Sequence, residues 1–349
     1  MTELIERLDR DRFDVHVACF HREGAWLPRV EAAAPVTEFP IHGFARPATV
    51  ARAAAFARWC RARRIAVMQS CDLYANAFAL PSAAFAGVAA RIGSRRELNP
   101  DKSAAQIRLQ RQAYRCAHAV VANSNAAGRQ LESEGLAPAQ IRIIPNGVDV
   151  DRFAPRAGAR PVSRILTVAN LRQEKAHEVL LAAAAQLMPR YPQLQFEIAG
   201  DGPRLAELRE LARTLGLGDR VVFLGHREDV PALLAQADAF VLPSRSEAFP
   251  NGAIEAMAAG LPVVASATGG LLDLIDDERT GVLVRPDDAG ALAQAIERLI
   301  ASPAHAAVLG AAAREEVTRR YSFDRMVRAF ESLYVSQLGT PRGISLQAA

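Results

Sequence analysis

The second half of the chain alternates predicted strands with predicted helices, and this alternation restricts the fold more than any other feature. The predicted strands are residues 164–168, 195–199, 221–224, 239–242 and 262–265. The predicted helices are residues 177–188, 203–215, 230–237 and 251–259. This order is typical of a doubly wound α/β domain built on a parallel sheet.

Three segments that carry polar residues or glycines follow the predicted strand ends: residues 170–175, 200–202 and 244–252. Ligands of such sheets bind beyond the carboxyl ends of the strands, so we expect these segments to converge on one site. The turn at residues 200–203 (Gly-Asp-Gly-Pro) lacks the third glycine of a dinucleotide fingerprint. Because its proline occupies the expected first helical position, we interpret it as a structural turn between strand and helix.

The segment 244–264 places two carboxylates around a helix start. It contains Pro250, which supplies no N–H and disfavours helical geometry in the residue before it. Strong helix formers follow over residues 251–259 and end at a Gly-Leu-Pro sequence. Glu247 is therefore expected on the loop that enters the helix, and Glu255 about one turn inside it.

This arrangement suits a ligand that carries phosphate between two hydroxyl-bearing ends. The free amides at the helix start and the positive end of the helix dipole form an anion site. Carboxylates on either side of that anion site accept hydrogen bonds from hydroxyl groups. A nucleotide sugar is such a ligand. The alternative is an ordinary helix with two glutamates that face solvent.

The same segment resembles the E-x7-E signature of the large retaining glycosyltransferase family 4, S-x-x-E-G-F-P-x-x-x-x-E-A-x-A-x-G-x-P-V-V. The chain departs from that pattern at Ala248, where glycine is usual. Residues 144–149 (IPNGVD) are similar to the family's inter-domain motif, and residues 168–175 (VANLRQEK) to its V-G-R-L-x-x-x-K motif. The resemblance runs from about Leu4 to Val335.

The resemblance implies a GT-B architecture, in which two Rossmann-like, doubly wound α/β domains face each other across a cleft. We predict an acceptor domain at residues 1–157 and a nucleotide-sugar donor domain at residues 158–321. Residues 322–339 are predicted to form a helix that packs back on the first domain, and residues 340–349 a flexible tail.

The first domain is predicted to lack its opening. Its expected strands are residues 13–20, 36–39, 65–69, 89–92, 119–122 and 142–144. Family members begin with a strand and a glycine-rich loop before the first helix, whereas Met1 falls inside that helix here. The missing strand would be central in its sheet, so we expect an open seam between its neighbours.

Family members transfer a sugar from a nucleoside diphosphate with retention and without a metal, using cations and helix amides to stabilise the leaving diphosphate. By resemblance, Lys175 contacts that diphosphate. The usual arginine of this motif is replaced by Asn170, and Arg172 would supply the second cation if its loop bends toward the cleft. Glu247 would bind sugar hydroxyls near the reaction centre. The alternative for Lys175 is a solvated helix start.

The resemblance implies further contacts to the donor. Glu255 would accept hydrogen bonds from the ribose hydroxyls. Residues 225–230 are similar to the loop that reads the base, and residues 269–270 to a glycine turn near the donor, although Leu272 and Asp273 replace its common Pro-Glu. The donor-binding residues predicted besides Glu255 are Asn170, His226, Val230, Phe249, Pro250, Asn251, Gly252, Gly269 and Gly270. His226 is equally compatible with a surface turn.

The acceptor side is less distinctive. The family often has a histidine after the fourth strand, but residues 69–74 (QSCDLY) contain none. We select Asp72 there as the candidate ionisable group. Arg95 and Arg96 are expected to contact the acceptor because of their position and charge. A polar turn after a strand is the alternative.

Composition indicates a globular chain in a reducing compartment. Of 349 residues, 50% are hydrophobic and 23% charged, no apolar run approaches a membrane span, and no signal peptide is visible. The four cysteines lack metal-ligand spacing. We therefore expect a cytoplasmic protein without a metal site.

Basic residues are concentrated in one block. From Arg46 to Arg129 there are fourteen Arg or Lys against three acids, a local net charge of +11, whereas the whole chain carries +4. Such a block favours anionic partners, and no motif or aromatic interleaving indicates nucleic acid. We expect peripheral contact with the anionic inner face of a membrane. Solvated helix faces are the alternative.

These patterns predict a retaining hexosyltransferase that moves a sugar from a nucleoside-diphosphate sugar to a saccharide or lipid-linked acceptor, in polysaccharide or glycolipid biosynthesis. The nucleotide sugar is a co-substrate, and no cofactor is expected. One alternative is a catalytically impaired remnant or nucleotide-sugar-binding subunit of the same fold. Another is an epimerase or phosphorylase of similar architecture.

Overall fold

The computed structural model describes residues 1–44, 46–98, 102–155 and 158–339. The chain divides into two compact units. Unit 1 comprises residues 1–123, 127–145 and the described residues from 323 onward, and unit 2 comprises residues 124–126 and 146–322. The expected tail at residues 340–349 lies outside the described residues.

The change from unit 1 to unit 2 comes earlier than the predicted boundary between residues 157 and 158. The backbone explains the difference, because the chain packs on unit 2 directly after residue 145. Val148 N–H donates to the carbonyl of Tyr321, at 2.8 Å. Phe153 is buried in the apolar core of unit 2, and its carbonyl accepts from Arg314 at 2.9 Å.

Unit 1 contains the six strands that the sequence predicts in this half. They are β1 (Val17–Cys19), β2 (Val36–Glu38), β3 (Val67–Gln69), β4 (Ala90–Arg95), β5 (Ala119–Ala122) and β6 (Ile141–Ile143). The first six helices are α1 (Thr2–Arg7), α2 (Leu27–Ala33), α3 (Pro47–Ala62), α4 (Leu73–Ala86), α5 (Ala104–Tyr114) and α6 (Asn125–Ser133). β1 is shorter than the predicted strand 13–20, because Phe13 and Val15 pack into an apolar cluster instead of extending the strand.

The strands of unit 1 form two separate parallel sheets. β1 pairs with β2, and β3, β4, β5 and β6 form a four-stranded sheet in that order. Among the described residues β1 pairs only with β2 and β3 pairs only with β4, so each of the two strands presents one unpaired edge. The expected open seam stays a prediction.

Unit 2 is built on one six-stranded sheet. Its strands are β7 (Arg164–Val168), β8 (Gln195–Ala199), β9 (Val221–Gly225), β10 (Ala239–Leu242), β11 (Val263–Ser266) and β12 (Val282–Val284). The order is β12-β11-β10-β7-β8-β9, and every pair is parallel. Its helices are α7 (His177–Leu187), α8 (Leu205–Thr214), α9 (Val230–Gln236), α10 (Asn251–Ala258), α11 (Leu271–Leu274), α12 (Ala289–Ala301) and α13 (Pro303–Arg320).

The two central strands of this sheet mark a switch in direction. From β7 the chain builds outward through β8 and β9, and it then returns to β10 and builds the other way. A crevice opens at such a switch point, beyond the carboxyl ends of the strands. β10 is buried at all four positions because apolar clusters cover both faces of the sheet. The predicted α/β class with parallel sheets is confirmed.

The last described helix, α14 (Phe323–Leu338), belongs to unit 1. Its residues Val327 and Phe330 join α1 residue Leu4 and β4 residue Ile92 in one buried apolar cluster. In the described part of the chain, no helix combines the length and the apolar composition needed to cross a lipid bilayer.

One buried side chain in unit 2 has a consequence for stability. His177, the first residue of α7, is 0% exposed, and neither ring nitrogen has a hydrogen-bond partner among the described residues. Burial lowers its pKa from 6.5 to about 4, with smaller effects from Glu178, Lys175 and Arg204. The imidazole is therefore neutral in the folded protein at neutral pH.

We expect this histidine to make the free energy of unfolding decrease in acid. The unfolded chain takes up a proton near the ordinary pKa of 6.5 and the folded protein only near about 4. The free energy of unfolding is therefore highest above pH 6.5. It decreases as the pH falls from there toward the folded-state pKa of about 4, by up to about 3 kcal/mol in total. Urea unfolding at several pH values should show this slope, and His177→Leu should reduce it. Equal slopes in the two proteins would contradict the assignment.

Candidate functional site

A cavity of about 330 Å³ lies in unit 2 at the carboxyl ends of β7, β8, β9 and β10. Its volume is within the range of small-molecule sites. The lining residues are Val168, Ala169, Asn170, Lys175, Ala199, Gly200, His226, Arg227, Leu242, Glu247, Phe249, Pro250, Asn251, Gly252 and Glu255. The cavity occupies the switch point of the sheet, and the three segments expected to converge all contribute to its wall.

An ion pair between Lys175 and Glu247 forms one side of the cavity. Lys175 Nζ donates to Glu247 Oε1 at 2.7 Å, and Ser244 Oγ donates to the same oxygen at 2.7 Å. Glu247 is only 5% exposed. Its Oε2 receives no hydrogen bond from the described residues, so one carboxylate oxygen remains for a ligand.

Two glycines pack closely against the loop that carries Glu247. A Cβ at Gly269 would lie 1.9 Å from the Glu247 carbonyl oxygen, and one at Gly270 would lie 2.2 Å from that of Ala248. Gly270 N–H also donates to the Glu247 carbonyl, at 2.8 Å. These glycines therefore support the loop by close backbone packing. They are not among the residues that line the cavity.

The first turn of α10 faces the same cavity. The amides of Asn251, Gly252 and Ala253 have no carbonyl partner within the helix, and no side chain of the described residues caps them. A Cβ at Gly252 would lie 2.5 Å from the carbonyl oxygen of Val168, so glycine allows α10 to approach β7 closely. The result is a helix start with free amides in the same cavity that Lys175 lines, an arrangement that can accept an anion.

Glu255 lies one turn inside α10, as predicted, and lines the cavity. Burial raises its pKa to about 7, against the opposing charge of Arg152. Hydroxyl groups that donate to this carboxylate would stabilise its charged form.

His226 and Arg227 follow β9 and form the far wall. Arg227 is held by Asp229 in a two-pronged pair, at 2.7 and 2.6 Å. Arg227 was not predicted as a site residue, although its place two residues after a strand end is a signal that the sequence offers. Val230 begins α9 and does not line the cavity.

Arg172 is not placed in the cavity. It is exposed and precedes the 3-10 turn Gln173–Lys175, so its loop does not bend inward as the prediction required. Asn170 does line the cavity, where it offers amide groups in place of a second positive charge.

The prediction that Arg95 contacts the acceptor is wrong. It is 1% exposed, and its guanidinium contacts Glu134 at 2.7 Å and Gln110 at 3.1 Å. A group enclosed in this way belongs to the core of unit 1 and does not reach a ligand. Asp72 caps α4 by accepting from Ala75 N–H at 2.8 Å, and Arg96 is exposed. The acceptor roles of these two residues stay predictions.

Comparison with known proteins identifies the family. Residues 1–152 match glycosyltransferase family 4, and residues 159–316 match the glycosyl transferases group 1. Together these matches cover nearly the whole described chain. The chain belongs to this glycosyltransferase family.

Two curated relatives share about a third of their aligned residues with this chain. The D-inositol 3-phosphate glycosyltransferase of Salinispora tropica is 35% identical over 242 residues, 62% of this chain and 50% of the relative. The GDP-mannose-dependent α-(1-6)-phosphatidylinositol monomannoside mannosyltransferase of Mycolicibacterium smegmatis is 34% identical over 195 residues, 50% of this chain and 51% of the relative. The chain thus spans about half the length of the curated relatives it matches.

A solved structure of HepE from Anabaena in complex with UDP has the same fold. Its TM-score is 0.85 at 23% identity, and the match covers 96% of this chain and 94% of HepE. At this identity the likeness concerns the fold alone.

The buried pair in unit 1 provides a test of its structural role. We expect Glu134→Ala to lower the free energy of unfolding by about 3–5 kcal/mol, because it leaves the Arg95 charge buried without its partner. The double variant Arg95→Met, Glu134→Leu should lose much less, since both charges are removed. Urea unfolding of the three proteins measures this. A single variant as stable as the parent would show that Arg95 is not held as a core ion pair.

Proposed function

We propose that this chain is a retaining hexosyltransferase that uses a nucleoside-diphosphate sugar and needs no metal or other cofactor. The observation that carries the proposal is the placement of an ammonium, an uncapped helix start and two carboxylates around one cavity. Each group matches one part of such a donor.

The positive groups suit the leaving diphosphate. An ammonium has three donors, and Lys175 uses one of them on Glu247, which leaves two for phosphate oxygens. The amides at the start of α10 add fixed dipoles that need no reorganisation when charge develops. As the bond between the anomeric carbon and the diphosphate breaks, these groups stabilise the charge on the leaving oxygen. A new bond forms from the acceptor oxygen, whose proton leaves with the diphosphate or to solvent.

The two carboxylates suit the two ends of the donor. Glu247 is anchored through one oxygen and presents the other to sugar hydroxyls. Glu255 has a raised pKa of about 7 and is placed one helical turn away, where it would accept from the ribose hydroxyls. His226 and Arg227 would lie at the base. The UDP complex of HepE supports a nucleotide in this fold.

We further propose a saccharide or lipid-linked acceptor, in polysaccharide or glycolipid biosynthesis at the cytoplasmic face of a membrane. The two curated relatives are named for a phosphorylated inositol and for a phosphatidylinositol mannoside. The basic block from Arg46 to Arg129 supports contact with such an anionic acceptor or with anionic lipid. Arg58 and Arg61 on α3 are exposed and free of neighbouring acids in sequence.

A nucleotide-sugar-binding subunit with impaired transfer is the second candidate. Two observations favour it: Asn170 replaces a cation in the cavity wall, and Arg172 lies outside the cavity. Incubation with labelled UDP- and GDP-sugars and with inositol phosphate or phosphatidylinositol acceptors separates the candidates. Transfer with retention, seen by NMR of the anomeric proton, is expected. Binding without transfer would favour the subunit, and an epimerised donor or phosphate-dependent cleavage would replace the proposal.

The ribose contact is tested by Glu255→Gln. We expect nucleoside diphosphate affinity to fall by about 1–3 kcal/mol, the scale of a charge-assisted hydrogen bond. In the parent protein, affinity should decrease as the pH drops below the raised pKa of about 7, since protonation removes the charged acceptor. Calorimetry at several pH values should show that the affinity of the variant does not change over this pH range. The parent protein should likewise show no such pH dependence with a 2′-deoxy nucleoside diphosphate. Unchanged affinity in the variant would remove Glu255 from the site.

The leaving-group role is tested by Lys175→Ala. Turnover should fall by about two orders of magnitude, because the charge acts mainly in the transition state. Lys175→Arg should restore only part of it, since a planar fork does not replace a point charge. Arg209→Ala, which removes an exposed cation on α8 outside both the cavity and the basic block, is the control. Full turnover in Lys175→Ala would refute the role.

A further inference from the structure

Outside the cavity, the carboxylate of Glu178 joins two guanidinium groups. Glu178 lies in the first turn of α7, and its side chain is 22% exposed. Its Oε2 accepts from Arg204 Nη1 at 2.6 Å, and its Oε1 lies 2.7 Å from Arg245 Nη1. The two arginines come from segments that follow β8 and β10, so one carboxylate of α7 joins three separate segments of unit 2.

Arg204 ends the turn that follows β8. Its N–H donates to the carbonyl of Leu171 at 3.1 Å, and a Cβ at Gly202 would lie 2.6 Å from that same oxygen. The turn therefore packs directly on the segment that leads to Lys175. The Arg204 side chain is only 11% exposed, so water and salt screen its ion pair with Glu178 less than they screen a pair at the surface.

Arg245 precedes Glu247 by two residues and holds the same segment from the other side. Its N–H donates to the carbonyl of Glu174 at 2.8 Å, and its Nη1 donates to the carbonyl of Gln173 at 2.9 Å. These are the two residues directly before Lys175. Its Nε also contacts Asp287 at 2.7 Å, so Nε and Nη1 of the guanidinium are both engaged.

The backbone beside Lys175 shows that the segment is held by its surroundings. Ala176 is buried and has a φ of +51°, a conformation that residues with a side chain rarely adopt. Such a conformation persists only where the neighbouring structure determines it. Burial raises the pKa of Glu178, but hydrogen bonds from the backbone, Arg204 and Arg245 outweigh it and keep the pKa below its usual range.

We propose that Glu178 is a positioning residue: by joining Arg204 to Arg245 it holds the ammonium of Lys175 against Glu247 in the cavity. This inference rests on the proposed function, in which Lys175 stabilises the leaving diphosphate. Loss of the carboxylate would leave two guanidiniums near each other without their shared counter-ion. They would separate, and the segments that carry Lys175 and Glu247 would separate with them.

Glu178→Gln tests the proposal, with Glu207→Gln as the matched control. Glu207 contacts the same Arg204, at 3.0 Å, but it is exposed and reaches neither Arg245 nor the Lys175 segment. We expect Glu178→Gln to lower kcat about tenfold with a change in donor KM of less than about twofold, because the loss falls on the transition state. Glu207→Gln should retain the parent values.

A double-mutant cycle separates positioning from a general loss of structure. In a Lys175→Ala background, Glu178→Gln should cost almost nothing further, since the group that it positions is gone. An additive loss, or an equal loss in Glu207→Gln, would overturn the proposal. Urea unfolding of each variant identifies any contribution from stability.

The same double-mutant cycle can also be measured through nucleotide binding, which requires no transfer activity. The free nucleoside diphosphate carries the negative charge that develops on the leaving group, which the intact donor lacks. Calorimetry should therefore show that Glu178→Gln weakens binding of the free diphosphate about fivefold although donor KM changes little, and that this effect disappears with Lys175→Ala. If the parent binds nucleotide but transfers no sugar, the proposed function fails while the binding cycle still tests Glu178. If the parent transfers sugar and the cycle is additive, only the positioning role fails.

Discussion

The ion pair between Lys175 and Glu247 is the interaction on which the site depends. It joins the segment after β7 to the segment after β10, the two central strands of the unit 2 sheet. A carboxylate that is 5% exposed requires a partner, because an unpaired buried charge is strongly destabilising. The pair thus keeps two loops together and at the same time presents a cation and a free carboxylate oxygen to the cavity.

The rest of unit 2 makes that pair possible by close packing. The central strands are covered on both faces, so their carboxyl ends are rigid points from which the loops begin. Gly252 lets α10 approach β7, and Gly269 and Gly270 let the next turn support the loop of Glu247. In each case a Cβ would meet a backbone oxygen at 2.5 Å or less, which the flexibility of a side chain cannot relieve. Backbone contacts therefore set the shape of the anion-binding helix start.

In unit 1 one arginine is buried as part of an ion pair, and most of the other arginines of the basic block are exposed. Its most enclosed charge, Arg95, is satisfied by Glu134 and Gln110 inside the core, whereas most arginines of the basic block lie at the surface. Its described strands form two separate sheets, and the apolar cluster that includes residues of α1 and α14 also includes Ile92 of β4. Charge at the surface of this unit is available for an anionic partner without any cost to its core.

Local sequence was sufficient for five of the six described strands of unit 2, for helices α7 to α10 and for the positions of the two glutamates, whereas β12 and helices α11 to α13 were not predicted. The strands 164–168, 195–199 and 239–242 have the predicted limits, because short apolar runs bounded by turn residues specify their own ends. Pro250 and the run of helix formers that follows it over residues 251–259 placed Glu247 on a loop and Glu255 inside a helix. Tertiary structure decided which charges meet: Arg95 is enclosed, Arg172 lies outside the cavity, Arg227 lines it, and Glu178 bridges two distant arginines. The partners of these groups lie on other strands and helices, and periodicity in one segment carries no information about a side chain that arrives from another.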